Sequence, residues 1–169
     1  MKPTRSLKAR ALQWLAQREQ SRVELRRKLL PYALVEAADA GAARATVEAL
    51  LDWLEAHQYL SGERFVESRV NARSARFGNL RIRSELKQHA LALSPEAAQV
   101  LADTELDRAT QLWERKFGAP STAPRAVTAP ATPAVRARQA RFLAGRGFSP
   151  DTIRSVLRRT RSTATDGAD

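Results

Sequence analysis

The sequence predicts an all-α fold of three tandem units, each containing three helices. Apolar residues recur three and four positions apart along most of the chain, which is the period of an amphipathic helix and not the alternation of a strand. One short pattern also occurs three times: a turn residue is followed by apolar residues four and eight positions later. The copies are Ser21, Leu25 and Leu29; Gly78, Ile82 and Leu86; and Ser149, Ile153 and Leu157. Such recurrence is typical of a helical repeat protein.

The spacing of the three copies places one linker in the chain. Gly78 follows Ser21 by 57 residues and Ser149 follows Gly78 by 71, so the second interval is 14 residues longer. The stretch 118–133 has a similar length, is rich in proline, alanine, serine and threonine, and shows no apolar period. We therefore predict repeats over 6–57, 61–103 and 104–160, with the linker 118–133 inside the third repeat, and a flexible tail over 161–169.

Helix boundaries in the first unit follow from capping residues and helix breakers. We predict the first helix over Ser6–Gln17 and the start of the second after Ser21, whose hydroxyl can accept a hydrogen bond from a free N–H of the first turn. Pro31 is predicted to stop this second helix, because proline lacks the N–H that a helix interior needs. A loop containing Gly41 then leads to a third helix over Ala43–His57.

The other two units are read by the same signals. Ser61 is expected to cap a helix over Glu63–Arg76. The residues Phe77-Gly78-Asn79 are then predicted to form a turn. The remaining predicted helices are one lined by Ile82, Leu86 and Ala90, one that starts at Ser94-Pro95-Glu96, one over Thr104–Phe117, one over Val135–Arg146 and one after the turn Gly147-Phe148-Ser149-Pro150.

The composition excludes several classes of site. The chain has no cysteine, which rules out disulfides and thiolate metal ligands, and only two histidines, His57 and His89, which we interpret as helix-end and surface residues. No run of eighteen apolar residues occurs, and no hydrophobic signal core follows Met1–Arg10. We expect a cytoplasmic protein that neither crosses a membrane nor binds a metal or a cofactor.

Net charge points to a polyanionic partner. The 29 lysines and arginines exceed the 18 acidic residues by 11. The sign of the charge alternates along the chain, from +7 in 1–30 to −4 in 31–60 and +4 in 61–91.

An arginine follows the first apolar residue in each copy of the repeated pattern: Leu25-Arg26, Ile82-Arg83 and Ile153-Arg154. We predict that these arginines and their basic neighbours form a discontinuous strip that binds acidic protein surface or phosphates. The predicted partner-binding residues are Arg26, Arg69, Arg76, Arg83, Lys87, Arg154 and Arg158. Arg73 falls among apolar side chains, where a pair with a carboxylate such as Glu85 is favoured over a direct ligand contact.

Three blocks of residues between Ala11 and Arg159 carry a family resemblance. They are Ala11-Leu12, Leu15, Arg18-Glu19, Ser21, Glu24-Leu25 and Lys28-Leu29; Tyr59-Leu60, Arg64-Phe65, Arg73, Gly78, Ile82 and Glu85-Leu86; and Phe142-Leu143, Arg146-Gly147-Phe148 and Ile153. In this order and at these spacings they resemble the RecX family of bacterial regulators of the RecA recombinase. The chain departs from the family pattern at Ser61-Gly62, where an acidic pair is usual, and in the length of its proline-rich linker.

The resemblance implies an elongated, curved array of three-helix repeats that binds along the groove of the RecA filament on single-stranded DNA. It also implies inhibition of filament growth, ATP hydrolysis, strand exchange and coprotease activity, and so a role in DNA repair and the SOS response. We expect no catalytic residue, since no phosphate-binding glycine loop, HExxH or Gly-x-Ser-x-Gly motif occurs. We also expect the protein to be a monomer.

Two other functions stay open from the residues. A non-specific basic DNA-binding protein could hold a duplex weakly through its phosphates. Against it, aromatic residues make up only 6% of the chain, and no helix carries the asparagine, glutamine and arginine cluster that reads bases. A structural scaffold for another protein is the third.

Overall fold

A computed structural model describes residues 5–118 and 132–165, with side chains to residue 160. Within this part of the chain every regular element is an α-helix, which confirms the predicted all-α class. The nine helices are α1 (Leu7–Gln17), α2 (Arg22–Glu36), α3 (Ala40–Ala56), α4 (Gly62–Ser74), α5 (Asn79–Gln88), α6 (Pro95–Asp103), α7 (Glu105–Phe117), α8 (Pro133–Gly145) and α9 (Pro150–Thr165).

The chain forms two compact units. The first contains residues up to 69 together with 86–92, and the second contains 70–85 and the residues from 93 onward. Helices α4 and α5 each contribute residues to both units.

The core of the first unit is built from the apolar faces of α1, α2 and α3. Leu25 and Leu29 of α2 are fully buried, as the repeated pattern predicts. They belong to one cluster with Val47, Leu51 and Leu54 of α3. Truncating one such leucine to alanine costs about 2–5 kcal/mol, so this cluster supplies much of the unit's stability.

The core of the second unit gathers residues of α7, α8 and α9. Ala109, Leu143 and Val156 are fully buried there, and Phe148 is nearly so. Ile153, the apolar residue of the third pattern copy, lies at the edge of this cluster with 9% of its surface exposed.

Three helix starts coincide with the predicted caps Ser21, Ser61 and Ser94. The hydroxyl of Ser21 accepts a hydrogen bond from the N–H of Glu24 at 3.1 Å, and that of Ser94 accepts one from Ala97 at 3.1 Å. Ser61 caps α4 in the same way, through the N–H of Arg64. Such caps satisfy first-turn donors that have no partner inside the helix.

The predicted end of the second helix at Pro31 is wrong. Helix α2 continues through Pro31 to Glu36, five residues further. Proline removes one backbone hydrogen bond, but Ala33 beyond it is 2% exposed and belongs to the core, so burial of this last turn offsets the loss.

Two other boundaries differ from the sequence prediction. Gly41 lies inside α3 and not in a loop, because Asp39 caps this helix earlier by accepting a hydrogen bond from the N–H of Ala42 at 2.8 Å. Helix α5 ends at Gln88, so Ala90 does not line it and instead adopts a left-handed backbone angle, φ 57°. The predicted linker falls mostly at 119–131, outside the described residues, and the predicted tail begins inside α9, with 166–169 outside them.

Candidate interaction surface

The repeated pattern separates a buried apolar residue from an arginine nearer the surface. Leu25, Ile82 and Ile153 are all buried. The arginines that follow Ile82 and Ile153 are exposed, whereas Arg26 is half-buried. Each repeat position therefore presents a cation, but with a different degree of exposure.

Arg26 is engaged in an ion-pair network within the first unit. Its guanidinium donates two hydrogen bonds to the carboxylate of Glu48, one of them from Nη2 at 3.0 Å. Arg22 donates to the same carboxylate at 2.8 Å and also to Asp52 and Glu55, each at 2.6 Å. The hydrogen bonds from Arg26 and Arg22 lower the pKa of Glu48 to about 2. The basic face of α2 thus pairs with the acidic face of α3.

Arg69 also has partners inside the first unit. Its Nη2 lies 3.5 Å from a carboxylate oxygen of Glu24, and its guanidinium lies 5.1 Å from the ring centre of Phe65. Burial would raise the pKa of Glu24, but the hydrogen bond and the charge of Arg18 outweigh it and lower that pKa. Arg69 therefore has a structural role beside any role in binding.

Four of the predicted residues are exposed cations without an ion pair in the described part of the chain: Arg76, Arg83, Lys87 and Arg158. Arg158 donates one hydrogen bond to the hydroxyl of Ser155 at 3.2 Å. Arg154 pairs with Asp151 one turn before it, and both side chains are largely exposed. A surface pair of this kind contributes little to stability and leaves the cation accessible.

These seven residues divide between the two units. Arg26, Arg69 and Lys87 belong to the first, and the other four belong to the second. The predicted pair between Arg73 and Glu85 is present, with Nε 3.1 Å from a carboxylate oxygen, and Arg81 approaches the same carboxylate at 3.6 Å.

Comparison with known proteins decides the family. The chain is 46% identical to a protein named "Regulatory protein RecX" from Ralstonia nicotianae, over 96% of this chain and 92% of the relative. Its identity to proteins of the same name is 48% in Herbaspirillum seropedicae, over 92% of both chains, and 38% in Pseudomonas putida, over 90% of this chain and 89% of the relative. The chain belongs to the RecX family. Residues 103–157 in addition match the family model described as "RecX, third three-helix domain".

Glu105, in the region that matches the third RecX three-helix domain, is the centre of a polar network that sequence reasoning missed. One carboxylate oxygen of Glu105 accepts a hydrogen bond from the backbone N–H of Asn79 at 2.8 Å. The other accepts from the hydroxyls of Ser149 at 3.0 Å and Thr152 at 2.8 Å. One buried carboxylate therefore fixes the starts of α5 and α9, and because its partners lie 26 to 47 residues away, no local pattern predicts it.

Arg108 completes this network from the next turn of α7. Its guanidinium donates to the side-chain oxygen of Asn79 at 2.6 Å and to the carbonyls of Ser74 and Phe77, each at 3.0 Å. Burial lowers the pKa of Arg108, while the charge of Glu105 opposes that shift. A half-buried cation thereby holds the turn between α4 and α5.

The histidines of this RecX-family chain have structural contacts. His57 is exposed and ends α3, as predicted. His89 is half-buried and not a surface residue: its Nδ1 lies 2.8 Å from the Ser21 hydroxyl and its ring packs on Phe65. The described residues include no cluster of His, Cys, Asp and Glu that could hold a metal ion. None of the helices in the described ranges is long and apolar enough to cross a membrane.

Proposed function

We propose that this chain binds the RecA–DNA filament along its groove and inhibits the recombinase, ATPase and coprotease activities of RecA. The observation that carries the proposal is identity of 46–48% to proteins named "Regulatory protein RecX" over more than nine tenths of the chain. The net charge of +11 supports it, because a filament of protein on single-stranded DNA presents phosphates and acidic side chains together.

Inhibition is proposed to act by obstruction. Side chains on packed helices hold a binding surface more rigidly than loops do. A rigid binder that contacts neighbouring RecA subunits would block their addition and their conformational cycling. The protein itself performs no catalysis in this proposal, so any change in ATP hydrolysis belongs to RecA. In this proposal the chain itself acts in the cytoplasm as a monomer.

The exposed cations without a described ion pair are the strongest proposed contacts: Arg76, Arg83, Lys87 and Arg158. Arg154 is nearly as accessible, since its pair with Asp151 is at the surface. Arg26 and Arg69 stay in the proposed set, but Arg26 already forms an ion pair with Glu48 and Arg69 with Glu24. We therefore expect these two to contribute less.

Charge reversal at the four strongest contacts tests the proposal. In the variant Arg76→Glu, Arg83→Glu, Lys87→Glu, Arg158→Glu, the concentration that halves RecA ATP hydrolysis on single-stranded DNA should rise about tenfold or more, because repulsion replaces attraction. Its melting temperature should change little, since these side chains are exposed. The measurement is steady-state ATPase rate against concentration of the variant.

A matched control reverses four other exposed arginines without a described ion pair: Arg27, Arg44, Arg136 and Arg138. This control should inhibit nearly as well as the unmodified chain. Equal loss in both variants would show that only total charge matters. Suppression of ATP hydrolysis that begins only when the protein coats the DNA would favour the alternative of a non-specific DNA-binding protein.

A further inference from the structure

Three arginines surround one aromatic ring in the second unit. The guanidinium carbon of Arg81 lies 4.3 Å from the ring centre of Phe77, that of Arg73 lies 5.4 Å away and that of Arg146 lies 5.6 Å away. Phe77 sits in the turn between α4 and α5 and is half-buried. Arg81 and Arg146 do not belong to the basic set predicted from the sequence.

The positive charge around Phe77 is not balanced. Within the described residues, Glu85 is the one carboxylate that pairs with these arginines, at 3.1 Å from Arg73 and 3.6 Å from Arg81. No described side chain or carbonyl accepts a hydrogen bond from the Arg146 guanidinium, which also lies over the ring of Phe142 at 5.4 Å. Like charges held this close repel each other, so the arrangement favours an anion beside them.

Two glycines bring the arginines together. The N–H of Gly78 donates to the carbonyl of Arg146 at 2.9 Å, and that of Leu80 donates to the carbonyl of Gly147 at 3.1 Å. A Cβ atom on Gly78 would lie 2.3 Å from the Gly147 carbonyl oxygen, and one on Gly147 would lie 2.5 Å from the Cβ of Arg81. The α4–α5 turn and the α8–α9 turn can therefore touch only because both positions are glycine.

The turn that carries Phe77 is also held from the protein interior. Arg108 donates to the Phe77 carbonyl at 3.0 Å and to the side chain of Asn79 at 2.6 Å, and Glu105 accepts from the Asn79 N–H. Because these partners are buried or half-buried, the turn that carries the ring is positioned before any ligand arrives. Such preorganisation lowers the entropy that binding must overcome.

We propose that Phe77, Arg73, Arg81 and Arg146 form a binding site for the phosphodiester backbone of a single-stranded nucleic acid. A guanidinium stacked on a ring keeps its edge N–H groups available for bidentate bonds to a phosphate. The exposed part of the ring offers a surface on which a base packs. The net charge of +11 favours a polyanion with closely spaced phosphates over a protein carboxylate surface. This inference rests on the proposed function, since the site would hold the DNA strand of the filament.

The test measures binding of the full chain to a fluorescein-labelled oligothymidylate by anisotropy at several salt concentrations, without RecA. In the variant Arg81→Gln, Arg146→Gln, affinity at low salt should fall about tenfold. The slope of log affinity against log salt should become shallower by about 1.4, because each lost phosphate contact on a single strand removes about 0.7. A variant Arg81→Lys, Arg146→Lys should keep the slope and lose part of the affinity, since it retains charge but not the planar fork.

The control Arg136→Gln, Arg138→Gln removes the same charge from exposed positions of α8 in the same unit. Its slope and affinity should stay close to those of the unmodified chain, and melting curves should show all variants folded. Equal loss in this control, or unchanged binding in Arg81→Gln, Arg146→Gln, would overturn the assignment. So would a glutamine variant that binds the oligonucleotide normally but fails to inhibit RecA, because the site would then contact protein.

The proposed function is tested separately by RecA ATP hydrolysis. If the unmodified chain binds oligothymidylate through this site but leaves RecA activity unchanged, the regulatory proposal fails and the phosphate site stands. If it inhibits RecA but binds no oligothymidylate, the phosphate site fails and the regulatory proposal stands.

Discussion

An arginine follows a buried apolar residue at three repeated positions, yet each arginine has a different environment. Arg26 is half-buried and paired with Glu48, Arg154 is exposed and paired with Asp151, and Arg83 is exposed with no ion pair to a described residue. The same residue type at equivalent positions therefore differs in the charge that it offers to a partner. Partner binding should depend on Arg83 more than on Arg26.

At the residue scale, Glu105 is a buried side chain that fixes the starts of two helices, α5 and α9. Replacing it with alanine leaves the buried Asn79 N–H without its acceptor and removes the acceptor shared by the half-buried hydroxyls of Ser149 and Thr152. We expect Glu105→Ala to lower the free energy of unfolding by about 3 kcal/mol. Urea titration followed by circular dichroism measures this change.

A second acidic residue of α7 provides the control for Glu105. Asp107 is exposed, and its nearest cation is Arg159 at 3.8 Å. Asp107→Ala should change the free energy of unfolding by less than about 0.5 kcal/mol. Glu105→Gln, which keeps one carbonyl acceptor, should fall between the two, and equal stability of Glu105→Ala and Asp107→Ala would contradict the role given to Glu105.

At the element scale, Pro31 makes α2 less stable than a helix of the same length without an internal proline would be. It lies inside the helix, is exposed, and cannot donate to the carbonyl of Arg27 four residues before it. Pro31→Ala restores that donor and removes the steric conflict, while it gives the unfolded chain more freedom. We expect a net gain of about 1–2 kcal/mol, measured as a higher urea midpoint with an unchanged slope. A lower midpoint would show that the proline shapes α2 in a way the core needs.

Local signals account for most helix starts but fewer helix ends. The side chains of Ser21, Ser61 and Ser94 accept the first-turn hydrogen bonds that their positions predict. Such a cap needs only a neighbour three residues away, so sequence alone can identify it. The continuation of α2 past Pro31 depends on burial of Ala33 among residues of other helices, which a local pattern cannot report.

The candidate site likewise has one part that local sequence predicts and one part that it does not. The pair between Arg73 and Glu85 was predictable, because residues so placed on consecutive helices can meet across one short turn. The arrangement of Arg81 and Arg146 around Phe77 was not, because it depends on two turns 69 residues apart that are joined through Gly78 and Gly147. Glycines and arginines of this kind have no periodicity that distinguishes them from surface residues.

For the whole molecule, the alternation of charge along the sequence has two consequences. Part of it is satisfied internally, because acidic α3 pairs with basic α2 through Arg22, Arg26 and Glu48. The rest remains as the net charge of +11, which opposes compactness and favours a polyanionic partner. Any condition that neutralises the carboxylates removes internal pairing and increases net repulsion together.

Acid should therefore destabilise the fold, and Glu48 should account for part of the effect. Its pKa is about 2 in the fold, below the ordinary value of 4.5, so its contribution is present above pH 4.5 and is lost as the pH falls toward 2. The side chain of Glu48 is 39% exposed, so we expect it to contribute about 1 kcal/mol or less. Melting temperature measured from pH 7 to about pH 2.5 at fixed ionic strength should fall steadily, while Glu48→Gln should start lower and fall less steeply.

Glu36→Gln, which removes an exposed carboxylate with no described ion pair, should follow the unmodified chain. Parallel curves for Glu48→Gln and the unmodified chain would show that the α2–α3 pairs add nothing to stability.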